Sequence, residues 1–161
     1  MAAIEAKLAG MGLVLPAPVK LPPGLALPFA WVRARGNRVF CSGHIALDAD
    51  GGIAKPRGKV GDAVSEAEGY AAARQAALAM LASLVRELGD LDRIAVWLRV
   101  FGMVNAAPGF DRFPAVINGF SDLILALWGP ERGGHARSAI GVAGLPFSTP
   151  VEIEAELEIA G

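Results

Sequence analysis

The sequence predicts an α+β fold in which two long amphipathic helices lie on one face of a β-sheet. Three observations carry this prediction. Two segments with helical periodicity alternate with strand-like segments, the strand between them is apolar on both faces, and the chain ends in a strictly alternating strand. A chain of 161 residues has the length of one domain, so residues 1–161 are predicted to form a single domain.

The first 28 residues are predicted to form a short helix and a proline-rich arm. The helix is expected over Ile4–Met11. Five prolines follow between Pro16 and Pro28, and proline is excluded from helix interiors and central strands. This stretch is therefore expected to lie extended over the surface.

A β-hairpin is predicted next, with strands at Phe29–Arg35 and Arg38–Ser42. The Gly36-Asn37 pair between them tolerates the positive φ of a tight hairpin turn. A second turn is predicted at Asp48–Gly52.

The strongest helix signal runs from Ser65 to Leu88. Ser65 and Glu68 have the spacing of a capping box, and Gly89 stands where a left-handed cap is expected. Its apolar stripe is Tyr70, Ala73, Ala77, Leu81, Leu84, Val85 and Leu88.

The second helix is predicted from Arg112 to Trp128, with Pro114 tolerated in its first turn. Its expected buried face is Val116, Ile117, Phe120, Leu123, Ile124 and Leu127.

The strand Arg93–Val104 lies between the helices, and the pattern predicts apolar side chains on both of its faces. Ile94, Val96, Leu98 and Val100 are expected on one face, and Ala95, Trp97, Phe101 and Met103 on the other, where only Arg99 is charged. Two helices cover one face of a sheet, so a second copy of the chain is expected to cover the other.

Two further strands are predicted at Ala136–Val142 and Val151–Ile159. The last strand alternates apolar residues with Glu152, Glu154, Glu156 and Glu158. Burying four carboxylates is costly, so most of this face is expected to be wet, at a rim or in a cleft.

Composition excludes several classes of protein. Apolar residues make up 53% of the chain and charged residues 19%, yet it has no run of about 18 to 20 apolar residues such as a membrane-spanning helix needs. The N-terminus has no secretory pattern, so a cytoplasmic protein without a membrane partner is expected. A net charge of −1 without a basic run argues against nucleic-acid binding.

No metal site and no cofactor are predicted. The single cysteine, Cys41, has no disulfide partner in the chain and is expected to be a buried, inert thiol. His44 and His135 are far apart in sequence, and the glycines match neither a phosphate-binding loop nor a dinucleotide fingerprint.

Seven segments together resemble the YjgF/RidA family, and more narrowly its larger branch, labelled endoribonuclease or chorismate-mutase-like. The resemblance spans about residues 29 to 159, and its order and the fifteen-residue step from Arg137 to Glu152 carry it. The segments are Val39-Phe40-Cys41-Ser42-Gly43-His44, Gly58-Lys59-Val60-Gly61, Glu68-Gly69-Tyr70-Ala71-Ala72-Ala73-Arg74, Val116-Ile117-Asn118-Gly119, Ala136-Arg137-Ser138-Ala139-Ile140-Gly141-Val142, Leu145-Pro146 and Val151-Glu152-Ile153-Glu154.

The resemblance implies a chorismate-mutase-like fold, assembled as a homotrimer whose sheets form a central β-barrel. It also implies a ligand site in the cleft between subunits. The best-studied relatives hydrolyse reactive 2-imino acids to 2-oxo acids and ammonia, so the resemblance implies an imine deaminase that binds a small carboxylate.

The resemblance places two catalytic residues, Arg137 and Glu152. A guanidinium matches a carboxylate as a planar fork, which suits Arg137 as the anchor, and Glu152 would position a water. The substrate-binding residues that the resemblance implies are Phe29, Ser42, Gly43, His44, Asn118, Arg137 and Ala139.

Three of these positions depart from the deaminating relatives. Phe29 stands where they carry tyrosine, His44 where glutamine is usual, and Ala139 where many have a small thiol or hydroxyl. The anchor is retained while the groups around it are changed.

Simpler interpretations of these residues stay open. Arg137 fits an interface salt bridge, Glu152 a solvated strand face, and Asn118 a brace for its helix. Ser42 fits a hydroxyl that satisfies the strand end, and Gly43 a position that needs backbone freedom.

Two alternative functions also stay open. The first is a non-catalytic protein that binds a small carboxylate in the same cleft. The second is an endoribonuclease with His44 and His135 as acid and base, which the absence of a basic surface disfavours.

Overall fold

The computed structural model describes residues 2–161, and within them it has three α-helices and five strands. Their order matches the prediction, and both long helices and the last two strands lie where the sequence placed them. The elements are α1 (Ala3–Gly10), β1 (Val32–Arg35), β2 (Arg38–His44), α2 (Glu66–Leu88), β3 (Ile94–Asn105), α3 (Phe113–Gly133), β4 (Ala136–Val142) and β5 (Val151–Ile159).

The five strands form one mixed sheet in the order β1-β2-β5-β3-β4. Only the pairing of β3 with β4 is parallel, and α3 makes the crossover between them. The other pairs are antiparallel. Strand β4 is therefore one edge of the sheet and β1 the other.

Helices α2 and α3 pack together on one face of this sheet, and the core lies between them and the strands. Trp97 of β3 contacts Phe120 and Trp128 of α3, at ring-centroid distances of 5.9 Å and 5.5 Å. The six apolar residues expected to face inward from α3 are all buried. Both terminal signals of α2 are also confirmed, because Ser65 and Glu68 form a capping box and Gly89 has a φ of 93°.

The predicted facing of β3 is wrong at Trp97. This side chain lies on the helix-covered face with Ile94 and Val100, while Val96 and Leu98 are only half-buried. The cause is two irregularities in the pairing with β5, one between Ile94 and Val96 and one between Trp97 and Arg99. At each of them β3 advances by two residues while β5 advances by one, so β3 contains one extra residue. Each extra residue reverses the alternation that the sequence pattern assumes.

The other face of the sheet is open in the chain. Two large apolar side chains on it, Phe40 and Ile140, are 43% and 41% exposed. Glu154 is exposed, whereas the other three glutamates of β5 are half-buried. A depression of about 200 Å³ lies on this face; among the residues around it are Arg33, Phe40, Arg99, Phe101 and Glu156.

The N-terminal segment has the predicted short helix and extended arm. Lys20 N donates to Gly51 O at 2.9 Å, which holds the arm against the predicted turn at Asp48–Gly52. Strand β1 begins at Val32, three residues later than predicted. In the segment before β1, the chain bends after Pro28, and Ser42 Oγ donates to Ala30 O at 2.7 Å.

Two elements extend beyond their predicted ends. Strand β2 continues to His44, and α3 continues past Trp128 to Gly133 across a break at Gly129, whose φ is 75°. Among residues 2–161, no helix combines the length and the apolar character needed to cross a membrane.

Candidate active site at the edge of the sheet

Arg137 lies on the edge strand β4 with its side chain turned towards α3. It shares this face of the strand with Ala139, because alternate residues of a strand point the same way. Its Nη1 donates to Asn118 Oδ1 at 2.9 Å and to Ser121 Oγ at 3.1 Å, and its Nη2 donates to Pro114 O at 3.4 Å. Three neutral acceptors on α3 thus fix the guanidinium.

A second polar contact joins this group from the segment before β4. His135 Nε2 lies 2.9 Å from Ser121 Oγ, and His135 Nδ1 lies 2.7 Å from Gly133 O. Burial, and to a smaller extent the nearby Arg137 cation, lower the pKa of His135, while the Gly133 carbonyl acts in the opposite direction. The imidazole is therefore neutral at neutral pH.

These residues border a depression of about 330 Å³ beside α3 and β4. Its one carboxylate, that of Asp122, accepts a 2.8 Å hydrogen bond from the Tyr70 hydroxyl. Among residues 2–161, no carboxylate lies within salt-bridge distance of Arg137. The lining residues are Asn118, Ser121, Asp122, Leu125, Gly134, His135 and Arg137.

The remaining predicted site residues gather around the end of β2. Gly43 lies so close to β5 that a Cβ there would come within 2.7 Å of Glu152 Cδ. Burial, and secondarily the neighbouring Glu154, raise the pKa of Glu152. The Ser42 hydroxyl donates to Ala30 O, so its proton is already used within the chain.

Phe29 and His44 are linked through Trp31. Phe29 is 49% exposed and meets the Trp31 ring edge-on at 5.2 Å, and Trp31 lies 5.2 Å from the His44 ring. His44 is buried against α2, with Nε2 2.9 Å from Ser83 Oγ and Nδ1 2.7 Å from Ser42 O. Burial lowers the pKa of His44 to about 4.

Within one chain, the structure does not bring the two groups of predicted site residues together. Arg137, Asn118 and Ala139 lie at β4 on the helix-covered face. Glu152 pairs with Met103, which shares the open face with Ile140, so its side chain lies on the opposite face from Arg137. Strand β3 separates the two residues.

The two histidines are also apart. They belong to β2 and to the start of β4, with β5 and β3 in between, which is roughly 14 Å at normal strand spacing. One chain therefore does not form the His44 and His135 acid/base pair that the endoribonuclease hypothesis needs. Over residues 2–161, no three potential metal ligands come close enough to hold an ion.

Sequence reasoning did not place Ser121 in the site and did not assign His135 to Arg137. One signal was available, because His135 is two residues before Arg137 and so lies beside it on the same face of an extended chain. Ser121 has no such signal, since only the packing of α3 on β4 brings its hydroxyl there.

Comparison with known proteins agrees with the fold. A family model described as "YjgF/chorismate mutase-like, putative endoribonuclease" matches residues 5–153. The chain belongs to the YjgF/RidA family. Protein TCP17 of Trypanosoma cruzi is 38% identical to it over 143 residues, which are 88% of each chain.

Two solved structures are similar over nearly the whole chain. Atu1372 of Agrobacterium tumefaciens, a protein of unknown function, has a TM-score of 0.85 and 36% identity, covering 98% of this chain and 94% of its own. A protein from Shewanella oneidensis, described as a putative endoribonuclease, has a TM-score of 0.86 and 28% identity, covering 98% of this chain and 100% of its own.

More distant YjgF/RidA structures share the fold alone. Escherichia coli TdcF, solved with bound serine, has a TM-score of 0.58 and 19% identity, covering 89% of this chain and 99% of its own. RidA from an Antarctic Psychrobacter has a TM-score of 0.56 and 21% identity, with the same coverage.

Proposed function

We propose that this protein is an imine deaminase, which binds a 2-imino acid through its carboxylate at Arg137 and hydrolyses it to a 2-oxo acid and ammonia. The observation that carries the proposal is the state of the Arg137 side chain. Neutral acceptors take three of its five N–H donors. The cation faces a depression whose one carboxylate, Asp122, forms no salt bridge with it within residues 2–161. A fixed guanidinium with free donors suits a carboxylate ligand.

The proposal includes a homotrimer, in which the open sheet faces close into a central barrel. Exposed Phe40 and Ile140 would be buried there, so the trimer would cover apolar surface that a single chain leaves exposed. The β2 group of one copy, with Ser42, Gly43 and Glu152, would then complete the Arg137 depression of the next. We place this assembly in the cytoplasm.

Imine hydrolysis in this cleft depends mainly on how the substrate and the attacking water are oriented. Arg137 would hold the carboxylate and Asn118 would offer its amide group to the substrate. The Glu152 carboxylate, half-buried and with a raised pKa, would orient the attacking water. Gly43 would allow the close approach of backbone to substrate.

The test is release of 2-oxo acid from 2-imino acids that a second enzyme generates in the assay. Losing two charge-assisted hydrogen bonds of roughly 1.5 to 3 kcal/mol each in Arg137→Ala predicts a fall in kcat/KM of more than about 100-fold. Arg137→Lys should recover little, because an ammonium lacks the planar fork. Arg57 is exposed and its side chain has no hydrogen bond to any of residues 2–161, so Arg57→Ala provides the control variant.

A wild-type rate no higher than that of Arg137→Ala would overturn the proposal. Serine, with which TdcF was solved, carries an α-carboxylate and is the first ligand to test for binding. A trimer is expected in sedimentation equilibrium, and a monomer at assay concentration would contradict the shared cleft.

The second candidate is a sensor that binds a small carboxylate without turnover. The observation that favours it is Phe29, which is exposed where the family resemblance implies a tyrosine hydroxyl. This candidate predicts thermal stabilisation by a 2-oxo acid that Arg137→Ala abolishes, together with no ammonia release from 2-imino acids.

A further inference from the structure

Ser121, His135 and Arg137 form a connected set, which we call the edge cluster. The Gly133 carbonyl can only accept, so the 2.7 Å contact requires that His135 Nδ1 carries a proton. In the neutral imidazole Nε2 is then a bare acceptor, and the Ser121 hydroxyl must donate to it. The Ser121 oxygen in turn accepts from Arg137 Nη1 at 3.1 Å.

This order of bonds fixes the direction of every proton in the edge cluster. The Ser121 hydrogen points at His135, and a lone pair of the Ser121 oxygen remains beside the Arg137 guanidinium. When His135 gains a proton, Nε2–H becomes a donor and the Ser121 hydroxyl must turn its own hydrogen elsewhere. The depression is the open side, because Ser121 and His135 both line it.

We propose that His135 exchanges a proton with the substrate in this depression through the hydroxyl of Ser121. The inference rests on the proposed function, because it assigns a proton path to the same Arg137 site. In it Ser121 touches the substrate or its water, and His135 is a positioning residue that acts through Ser121.

The proton balance of the relay closes in two steps. As water adds to the carbon of the protonated imine, the C–O bond forms, the C=N electron pair moves to nitrogen and leaves a neutral NH2 group, and the water proton passes to Ser121 while the Ser121 proton passes to His135. The proton then returns by the same path to the amine nitrogen. The C–N bond breaks, ammonia leaves with that electron pair, and the carbinol oxygen forms the C=O bond as its proton goes to water.

The charged and titratable groups that face His135 support this direction of transfer. Arg137 on β4 disfavours a second cation, and burial lowers the pKa of His135, so the imidazole starts neutral and able to accept. Asp122 of α3 lines the same depression and takes the Tyr70 hydroxyl of α2 as its partner.

The chain carries a second cluster of the same composition that serves as an internal control. His44 bonds a carbonyl two residues earlier and Ser83 Oγ, and Arg86 Nη2 donates to Ser83 Oγ at 3.0 Å. Its cavity, of about 60 Å³, is covered by Pro18 and Val19 of the arm. This space holds about two waters, so it is too small for a 2-imino acid.

The experiment compares Ser121→Ala and His135→Gln with the wild type, and Ser83→Ala is the matched control. Removing general acid–base help predicts a fall in kcat of about 100-fold in both edge-cluster variants, while KM changes by less than about threefold. The wild-type kcat should decrease as pH falls through the pKa of His135, because the neutral imidazole is the acceptor. His135→Gln keeps an acceptor for the Ser121 hydroxyl, and its kcat should not show this decrease at low pH.

An unchanged kcat and pH profile in His135→Gln, with a wild type that releases 2-oxo acid, would overturn the relay and leave the deaminase intact. A second readout does not need turnover. By NMR, His135 should titrate below the ordinary histidine range, and acetate at the Arg137 site should raise its pKa. Absence of both effects refutes the relay. Both effects in a protein without turnover would sustain the proton coupling and refute the deaminase.

Discussion

Gly119→Ala is predicted to destabilise the protein by forcing α3 away from α2. A Cβ at Gly119 would lie 2.0 Å from the backbone oxygen of Tyr70 and 2.9 Å from its carbonyl carbon. A main-chain atom in the middle of a helix has no rotamer that relieves the clash. The helices must therefore separate by at least about 1 Å, and a gap of this size removes a quarter to a half of the dispersion energy of the contacts across it.

The magnitude follows from two opposing effects. Overpacking typically costs about 1 to 3 kcal/mol, with larger values where backbone must move, and the better helix propensity of alanine returns up to about 1 kcal/mol. Because backbone must move here, the cost lies at or above the top of that range, and subtracting about 1 kcal/mol leaves a net loss of roughly 2 to 3 kcal/mol. This loss lowers the Tm of a chain of this size by roughly 4 to 12 °C. Because Asn118 and Ser121 lie one and two residues from Gly119, carboxylate binding at Arg137 should weaken as well.

The assay is thermal and urea unfolding followed by circular dichroism at one fixed protein concentration. Gly10→Ala is the control, since Gly10 ends α1 and, outside its own helix turn, no atom of residues 2–161 lies within 4 Å of the added Cβ. It should be neutral or slightly stabilising. A free-energy loss below about 0.5 kcal/mol in Gly119→Ala, which is the range of surface substitutions, would refute the argument from close helix contact.

Three further predictions concern residues of strand β2. Gly43→Ala should cost little stability, because the clash is with the flexible Glu152 side chain, but it should displace that carboxylate and lower deaminase kcat; an unchanged kcat would separate Glu152 from catalysis. His44 has a folded pKa of about 4, below its unfolded value, so stability is full above about pH 6.5 and falls by about 3 kcal/mol as pH decreases towards 4. Unfolding of His44→Gln should lose this component, and an identical pH dependence in both proteins would contradict it. Burial raises the pKa of the Cys41 thiol, so a thiol reagent should react only after denaturation; rapid labelling of the native protein would show that Cys41 is accessible.

The local elements were predictable because their signals are local. The capping box at Ser65 and Glu68 and the alternation of Val151–Ile159 depend on residues a few positions apart, and the structure has both. Trp97 was misplaced for the complementary reason. A β-bulge is decided by how β3 pairs with β5, so the strand's own pattern does not report it.

In the candidate site, too, local motifs were readable from the sequence while the spatial arrangement was not. Short motifs that resemble a family pointed to Arg137, Glu152, Ser42 and Gly43, and in the structure Arg137 lies beside Asn118. The resemblance did not show that Arg137 and Glu152 lie on opposite faces of the sheet within one chain. Their separation follows from the strand order, which places β3 between them.

The sequence by itself determined the order and type of the elements and the family, and it pointed to Arg137 as a candidate carboxylate anchor. These follow from periodicity, capping residues and motifs, which a chain carries before it folds. Only the tertiary structure decided that Ser121 joins His135 to Arg137, and that a similar cluster around His44 is closed. Hydrogen bonds between residues 14 or more positions apart depend on how a helix packs on a strand, and no local pattern encodes that distance.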